Sequence, residues 1–284
     1  MGPVISSIES ADDTKGSGMG EAVAKHLAGK GWQVALLDMN EKRGQAVADS
    51  IGGIFMKTDV TSQESQTAAF ASVWEKYGHI DFGMLEYPIV LFEYLLTVCI
   101  VYANAGIVEK KPFCTPENEL PPPKLSLLSM EVCLNGVVFS TYLAMHYMRR
   151  NPDKKGGSII MTSSAAGIYP SYQLPLYAAA KHGVVGFMRS IAPELAKENI
   201  RVNCTLPGAV RTNLCTGDVW DMFPKEQFTT VDNIVDAVVA LLENPSLTGK
   251  AAEISMGKVY YRDQHEFCDE QMKAVMGAAG EMQQ

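Results

Sequence analysis

The sequence has few features of a metal-binding, disulfide-stabilised or nucleic-acid-binding protein. Its six cysteines form no Cys-x-x-Cys pair and no spacing typical of metal ligands, which predicts reduced thiols, a cytoplasmic location and no metal site. The net charge of −8 argues against a nucleic-acid partner. Met1–Ile8 is too short and lacks the basic start of a signal peptide. The apolar run Pro88–Val101 is short for a membrane span, so no membrane partner is expected.

Helical and strand patterns alternate along the chain, as is typical of a parallel sheet covered on both faces. The 284 residues can bury the core of one such domain. We therefore predict a single α/β domain over residues 1–284, with a doubly wound parallel sheet of the Rossmann type. The predicted strands are Trp32–Leu37, Ile54–Thr58, Ser158–Thr162 and Arg201–Thr205, and the predicted helices are Gly20–Gly31, Glu41–Ile51, Ser62–Tyr77, Leu125–Arg149, Leu176–Lys197 and Asp232–Leu242.

Ser164, Tyr177 and Lys181 have the spacing of a proton-transfer site. Tyr177 and Lys181 are four residues apart, so on a helix they share a face, with Cβ atoms about 5–6 Å apart. A lysine cation favours the phenolate, by on the order of 4 kcal/mol at about 4 Å and an effective dielectric constant of about 20. Such a phenol can exchange a proton with an alcohol or a carbonyl. The bare Tyr-x-x-x-Lys pattern is often an exposed pair, but the serine and the strand-loop-helix context favour catalysis.

A set of motifs in this order resembles the short-chain dehydrogenase/reductase family over about residues 16–260. Asp59-Val60 follows the third strand, and Asn104-Ala-Gly106 follows the fourth. After the serine, tyrosine and lysine comes Pro207-Gly-Ala-Val-Arg-Thr212. Within the family, the segments Gly183–Ser190 and Leu247–Ile254 are similar to the 15-hydroxyprostaglandin dehydrogenase branch.

The resemblance implies an oxidoreductase that interconverts a secondary alcohol and its ketone with a nicotinamide cofactor, acting as a homodimer or homotetramer. It implies that Tyr177 is the general acid/base, that Lys181 lowers its pKa and holds the nicotinamide ribose, and that Ser164 orients the substrate oxygen. Asn135 would support a water that links Lys181 to solvent, with hydrogen bonding inside its own helix as the alternative. The implied cofactor-binding residues are Gly16, Gly18, Gly20, Asp38, Asp59, Val60, Asn104, Tyr177, Lys181, Val210 and Thr212.

The glycine loop departs from the family pattern Thr-Gly-x-x-x-Gly-x-Gly. Gly18 and Gly20 fit its last two glycines, but an Asp-Thr pair stands where the first Thr-Gly pair belongs. Val4–Ile8 can serve as the first strand if the loop is longer. Either the loop is rearranged through Gly16, or dinucleotide binding is weakened.

Asp38 closes the second predicted strand, about twenty residues after the glycine loop. An acid at this position bonds the adenosine ribose hydroxyls of NAD and repels the 2′-phosphate of NADP. We therefore expect NAD rather than NADP, although Lys15 and Arg43 could soften the preference. The alternative is that Asp38 caps the helix that begins at Glu41.

One apolar segment interrupts the predicted fourth strand. Gly83–Ile100 interrupts what would otherwise be an ordinary fourth strand, which suggests either a retained short intron or an apolar excursion that docks on a partner or a membrane surface.

Residues 208–230 fit a mobile substrate lid. Apolar residues of the lid and the catalytic loop favour a small hydrophobic alcohol or ketone, with ordinary packing as the alternative: Ile168, Tyr169, Tyr172, Leu214, Val219, Trp220, Met222 and Phe223.

The altered glycine loop and the interrupted strand also motivate a second class of function. A chain with these changes could keep the fold as a binding or scaffold protein without turnover. Saturable dinucleotide binding would argue against that alternative.

Overall fold

One eight-stranded sheet forms the centre of the computed structural model, which describes residues 3–7, 18–78, 100–111, 113–116, 119–151, 156–215 and 217–281. The strands are β1 (Pro3–Ser7), β2 (Gln33–Asp38), β3 (Ile54–Lys57), β4 (Ile100–Ala103), β5 (Gly157–Thr162), β6 (Ile200–Pro207), β7 (Ala251–Ser255) and β8 (Lys258–Arg262). Their order in the sheet is β3-β2-β1-β4-β5-β6-β7-β8. Neighbouring strands are parallel except β7 and β8, which are antiparallel.

Helices cover both faces of this sheet, which confirms the predicted doubly wound α/β fold. One face packs against residues of α3, α4 and α5, such as Phe70, Leu143 and Met188, and the other packs against residues of α1, α2 and α7. The helices are α1 (Met19–Gly29), α2 (Glu41–Ile51), α3 (Gln63–Tyr77), α4 (Leu128–Met148), α5 (Pro175–Ala196), α6 (Gly217–Trp220), α7 (Val231–Glu243) and α8 (Glu270–Glu281).

The long helix α4 contains a π-helical turn at Glu131–Asn135. By length and composition alone this helix could cross a membrane. In the fold, however, Val137, Leu143 and Met148 are buried in the core against the sheet. We therefore assign α4 to the core of an α/β domain.

The order of the strands reverses between β1 and β4, which are neighbours in the sheet. In open α/β sheets, ligands bind at the carboxyl ends of the strands on either side of such a reversal. β1 falls at the segment that the sequence offered as the first strand. The loop that follows, with Lys15 and Gly16, lies outside the described residues. β4 begins at Ile100, and residues 83–99 also lie outside them, so the origin of that insert stays a hypothesis.

A buried arginine in β6 terminates the helix α7. Nη1 of Arg201 donates to the carbonyl oxygens of Leu241, Asn244 and Leu247, and Nη2 donates to that of Leu242. Burial lowers the pKa of the Arg201 guanidinium. The carbonyls at the end of a helix have no partners within the helix and attract a cation. This one side chain therefore satisfies two carbonyl oxygens in the last turn of α7 and two in the segment that follows it.

Replacing Arg201 by methionine should lower the free energy of unfolding by roughly 2–4 kcal/mol, because it leaves buried carbonyls without hydrogen bonds. Urea denaturation of the two proteins measures the loss. Arg150→Met is the matched control, since Arg150 is exposed and bonds one carbonyl, that of His146. A loss at Arg201 no larger than that of the control would show that the buried guanidinium contributes no net stability.

Candidate active site

The structure brings Tyr177 and Lys181 together in the first turns of α5. The Nζ atom of Lys181 lies 5.5 Å from the centroid of the Tyr177 ring. Both residues are buried, with 7% and 2% of their surfaces exposed. The ammonium donates a hydrogen bond of 2.8 Å to the carbonyl oxygen of Thr162, the last residue of β5. A cation held at the end of a central strand can stabilise negative charge on the neighbouring phenol.

Ser164 follows β5 and begins the loop that leads towards α5. Its half-buried hydroxyl oxygen accepts a hydrogen bond of 3.2 Å from the amide of Ala166. The neighbouring Ser163 is buried, and its hydroxyl donates to the carbonyl oxygen of Lys181 at 2.8 Å. The catalytic loop is therefore fastened to the helix turn that carries the lysine.

Gly167 makes this close approach possible. A Cβ atom at this position would lie 2.3 Å from the Ser163 hydroxyl oxygen and 2.9 Å from the carbonyl oxygen of Lys181. Neither distance is compatible with the present backbone. The loop can hold its position only with a glycine here.

Gly167→Ala should lower kcat/KM by about 10²-fold, because displacing a reacting group by about 1 Å can cost that much. Steady-state kinetics with the alcohol substrate measure the effect. Gly186→Ala is the matched control on α5, since a Cβ there meets nothing within 4 Å. Equal activity of the two variants would contradict the assigned contact.

Glu109, which the sequence analysis missed, binds the amino end of the catalytic helix. Its two carboxylate oxygens accept hydrogen bonds of 3.0 Å from the amides of Leu176 and Tyr177. The free amides and the positive dipole at a helix start favour a carboxylate there. Glu109 comes from the segment after β4, 68 residues before Tyr177, so no local pattern could have identified it.

In the π-helical turn of α4, the structure places Cys133 in the site instead of Asn135. Cys133 is fully buried and packs in one cluster with Tyr177, whereas Asn135 is exposed. The Cys133 sulfur is 3.4 Å from the amide nitrogen and 3.3 Å from the carbonyl oxygen of Ile107. Positions two apart on a helix point in nearly opposite directions, so only one of these side chains can face the site. The Asn135 side chain is therefore not among those brought together here.

At the carboxyl ends of β2 and β4, two predicted cofactor residues are buried. Asp38 accepts a hydrogen bond of 2.7 Å from the amide of Asn40, the residue that caps α2. The side-chain oxygen of Asn104 lies 3.0 Å from the hydroxyl of Thr162, and this contact joins the ends of β4 and β5. Asp38 therefore has a structural role at the start of α2, and its position at the end of β2 is the one predicted.

The other predicted cofactor residues line the same edge of the sheet. The Asp59 carboxylate accepts hydrogen bonds of 2.9 and 2.7 Å from the amide and hydroxyl of Thr61. Val60 lies against Gly136, where a Cβ atom would come within 3.2 Å of it. The remaining predicted residues are buried, namely Gly18, Gly20, Val210 and Thr212.

These groups fit a dinucleotide. Gly18 directly precedes α1, a helix of 11 residues; it is in an extended conformation and has no side chain that would cover the helix start. The amides of such a helix start bind a pyrophosphate, and an acid at the end of β2 binds ribose hydroxyls. Within the described parts of the chain, no three His, Cys, Asp or Glu side chains come together as metal ligands.

Comparison with known proteins agrees with this geometry. A family model described as short chain dehydrogenase matches residues 90–219, and one described as enoyl-(acyl carrier protein) reductase matches residues 14–87. Short-chain dehydrogenase/reductase prx7 of Penicillium rubens is 41% identical over 287 residues, which cover 92% of this chain and 95% of that protein. The chain belongs to the short-chain dehydrogenase/reductase family.

Two further relatives place the chain within this family. Human 15-hydroxyprostaglandin dehydrogenase [NAD(+)] is 27% identical over 271 residues, covering 87% of this chain and 90% of that protein. The crystal structure of a 3-ketoacyl-(acyl-carrier-protein) reductase from Brucella melitensis, complexed with NADH, matches with a TM-score of 0.71. It is 26% identical and covers 90% of this chain and 97% of its own. The predicted similarity to the 15-hydroxyprostaglandin dehydrogenase branch is thus confirmed, although prx7 is more similar.

Members of this family are oxidoreductases that use a nicotinamide cofactor on small alcohols and ketones, and this chain is an enzyme of that class. The segment predicted as its lid, residues 208–230, contains an aromatic cluster. The ring centroids of Trp220, Phe223 and Phe228 lie 5.8–6.2 Å apart. The Trp220 indole donates to the carbonyl oxygen of Thr212 at 2.8 Å. The Trp220 and Phe223 rings therefore pack within this segment, and their contact with a substrate stays a prediction.

The other apolar residues expected near the substrate have three kinds of surroundings. Leu214 packs beside Tyr177, where it can contact a substrate. Ile168 packs against the core, and the hydroxyl of Tyr169 lies 3.4 Å from the Glu253 carboxylate. The remaining side chains are exposed: Tyr172, Val219 and Met222.

Proposed function

We propose that this protein interconverts a hydrophobic secondary alcohol and its ketone with NAD, and that Tyr177 is the general acid/base. The observation that carries the proposal is the buried Tyr177 ring beside the Lys181 ammonium, which is itself anchored to Thr162 at the end of β5. A fixed cation favours the phenolate, which can accept a proton from an alcohol, and the phenol so formed can return that proton when a ketone is reduced.

Each residue of the site has one task in this proposal. The Ser164 hydroxyl hydrogen-bonds the substrate oxygen and holds it near the phenol. Lys181 stabilises the phenolate that forms when Tyr177 gives up its proton. The nicotinamide, when bound, supplies or accepts the hydride. Cys133 and Glu109 act as positioning residues, since they hold Ile107 and the first turn of α5 in place.

The surroundings of Tyr177 support an apolar substrate. The small cluster that contains Tyr177 is lined by Val108, Met130, Leu174 and Leu214. Burial of apolar surface stabilises a bound ligand by about 25 cal/mol per Å². A secondary alcohol with a hydrocarbon chain on one side would place that chain here.

Asp38 supports NAD as the preferred dinucleotide. It is buried at the end of β2, where a carboxylate bonds the ribose hydroxyls of NAD and repels a 2′-phosphate. The names of two similar proteins agree, since one carries NAD(+) in its name and the other was solved with NADH. A cytoplasmic location and a homodimer or homotetramer remain part of the proposal.

An absorbance screen for NADH formation tests the proposal. The purified protein is mixed with NAD and a panel of secondary alcohols of increasing hydrocarbon length, and absorbance at the NADH band is followed. We expect turnover that rises with hydrocarbon length and saturable NADH binding. Absence of both saturable NADH binding and turnover of any alcohol or ketone in the panel would favour the scaffold alternative. No specific observation within the described residues favours that alternative.

A further inference from the structure

A buried carboxylate joins the first turns of α1 and α2. The Glu21 side chain is 6% exposed, and its Oε2 atom accepts hydrogen bonds from Nη2 and Nε of Arg43 at 2.8 and 3.2 Å. Its other oxygen accepts from the Lys25 ammonium at 2.7 Å. Burial acts to raise the pKa of Glu21, but the bonds from Lys25 and Arg43 bring it below its usual range. Glu21 is therefore a carboxylate whose Oε2 atom binds two nitrogens of the Arg43 guanidinium.

This ion pair is joined to the end of β2 by a chain of hydrogen bonds. Asp38 accepts from the amide of Asn40, and the Asn40 side chain accepts from the amide of Arg43 at 3.1 Å. Arg43 thus lies in the first turn of α2, which Asn40 caps and which Asp38 contacts through the Asn40 amide. Lys42, the other basic residue of this turn, is exposed.

An arginine near the acid at the end of β2 is the group that accommodates a 2′-phosphate in NADP-dependent relatives of this fold. A guanidinium pairs with phosphate oxygens through two parallel N–H bonds and competes well for them. Arg43 has this chemistry and this place along the chain, but Glu21 already occupies two of its donors.

We propose that Glu21 is a second determinant of dinucleotide preference, because it holds the Arg43 guanidinium away from a 2′-phosphate beside Asp38. Glu21 acts through Arg43 and is therefore a positioning residue. The inference rests on the proposed use of NAD. Asp38 repels a 2′-phosphate, and Glu21 in addition keeps the Arg43 cation from attracting it. A change at Glu21 is thus expected to alter affinity for the phosphorylated dinucleotide and not for NADH.

Equilibrium titration with NADH and with NADPH, measured by calorimetry, tests the proposal without any need for turnover. In Glu21→Gln we expect affinity for NADPH to rise about tenfold, the size of one hydrogen bond to a charged group, while affinity for NADH stays within about threefold. Adenosine 2′-monophosphate should gain affinity in the same variant, and adenosine 5′-monophosphate should not. The double variant Glu21→Gln/Arg43→Gln should lose the whole gain.

Two further variants separate specificity from stability. Lys25→Gln removes the other partner of Glu21 and leaves Arg43 bound, so it should not change the preference. Arg43→Lys keeps the charge but cannot make the same two bonds, so it should raise NADPH affinity even if Glu21→Gln fails to fold.

Three results would overturn the proposal. They are unchanged NADPH affinity in Glu21→Gln and Arg43→Lys, a gain that survives in the double variant, and lower stability without any change in preference. A native protein that binds neither dinucleotide would overturn both this inference and the proposed function. Normal NADH binding with no response at Glu21 would remove this inference alone.

Discussion

Tyr177→Phe should lower kcat by about 10²- to 10⁴-fold and leave NADH affinity within about twofold. The substitution removes only the phenolic oxygen, so the ring keeps its packing with Cys133 and Ala180. Without that oxygen, the proton of the alcohol has no base beside the Lys181 ammonium. Steady-state kinetics give the first quantity, and fluorescence titration with NADH gives the second.

Tyr261→Phe is the control for the loss of a hydroxyl, because Tyr261 is partly exposed on the edge strand β8. Its kinetics should match those of the native protein. Undiminished turnover in Tyr177→Phe would remove the phenol from the mechanism. A parallel loss of NADH binding would instead show that the hydroxyl serves the cofactor.

Lys181→Met should lower kcat by at least about 10²-fold and shift the remaining activity to higher pH. The cation that favours the phenolate is gone, so a higher pH is needed to ionise the same fraction of Tyr177. The carbonyl oxygen of Thr162 also loses its bond to Nζ, which adds a stability cost of about 1–3 kcal/mol. A pH–rate profile and a urea denaturation curve measure the two effects separately.

Lys197→Met is the matched control at the end of the same helix, since Lys197 is exposed and its ammonium pairs with the nearby Glu194 carboxylate. We expect it to keep the native pH profile. A Lys181 variant that loses activity without an alkaline shift would mean that the lysine orients the cofactor and does not tune the phenol.

The sequence predicts elements well where a pattern and a cap coincide. The helix α2 begins and ends at the predicted residues, and the Asn40 side chain fixes its start by accepting from the amide of Arg43. By contrast, β8 and α8 were not predicted. Every residue of β8 is exposed, so its sequence lacks the alternation of apolar and polar residues from which half-buried strands are recognised.

The site is predictable to the extent that its residues are close in sequence. Tyr177 and Lys181 follow from a helical spacing, and Ser164 follows from the strand before it. Glu109 and Cys133 depend on contacts between distant elements, which no spacing reveals. The choice between positions 133 and 135 depends on a π-helical turn, which shifts the direction of side chains relative to a regular α-helix.

The paired bonds from Glu109 have a consequence for how this enzyme can diversify. They fix the first turn of α5 to the segment after β4, and the chain then continues as a loop whose described residues from Lys110 to Leu127 are exposed. The length and composition of that loop can change during evolution without displacing the Tyr177 hydroxyl oxygen, because Glu109 precedes the loop. Substitutions in this loop can thus change the substrate while the catalytic residues stay the same.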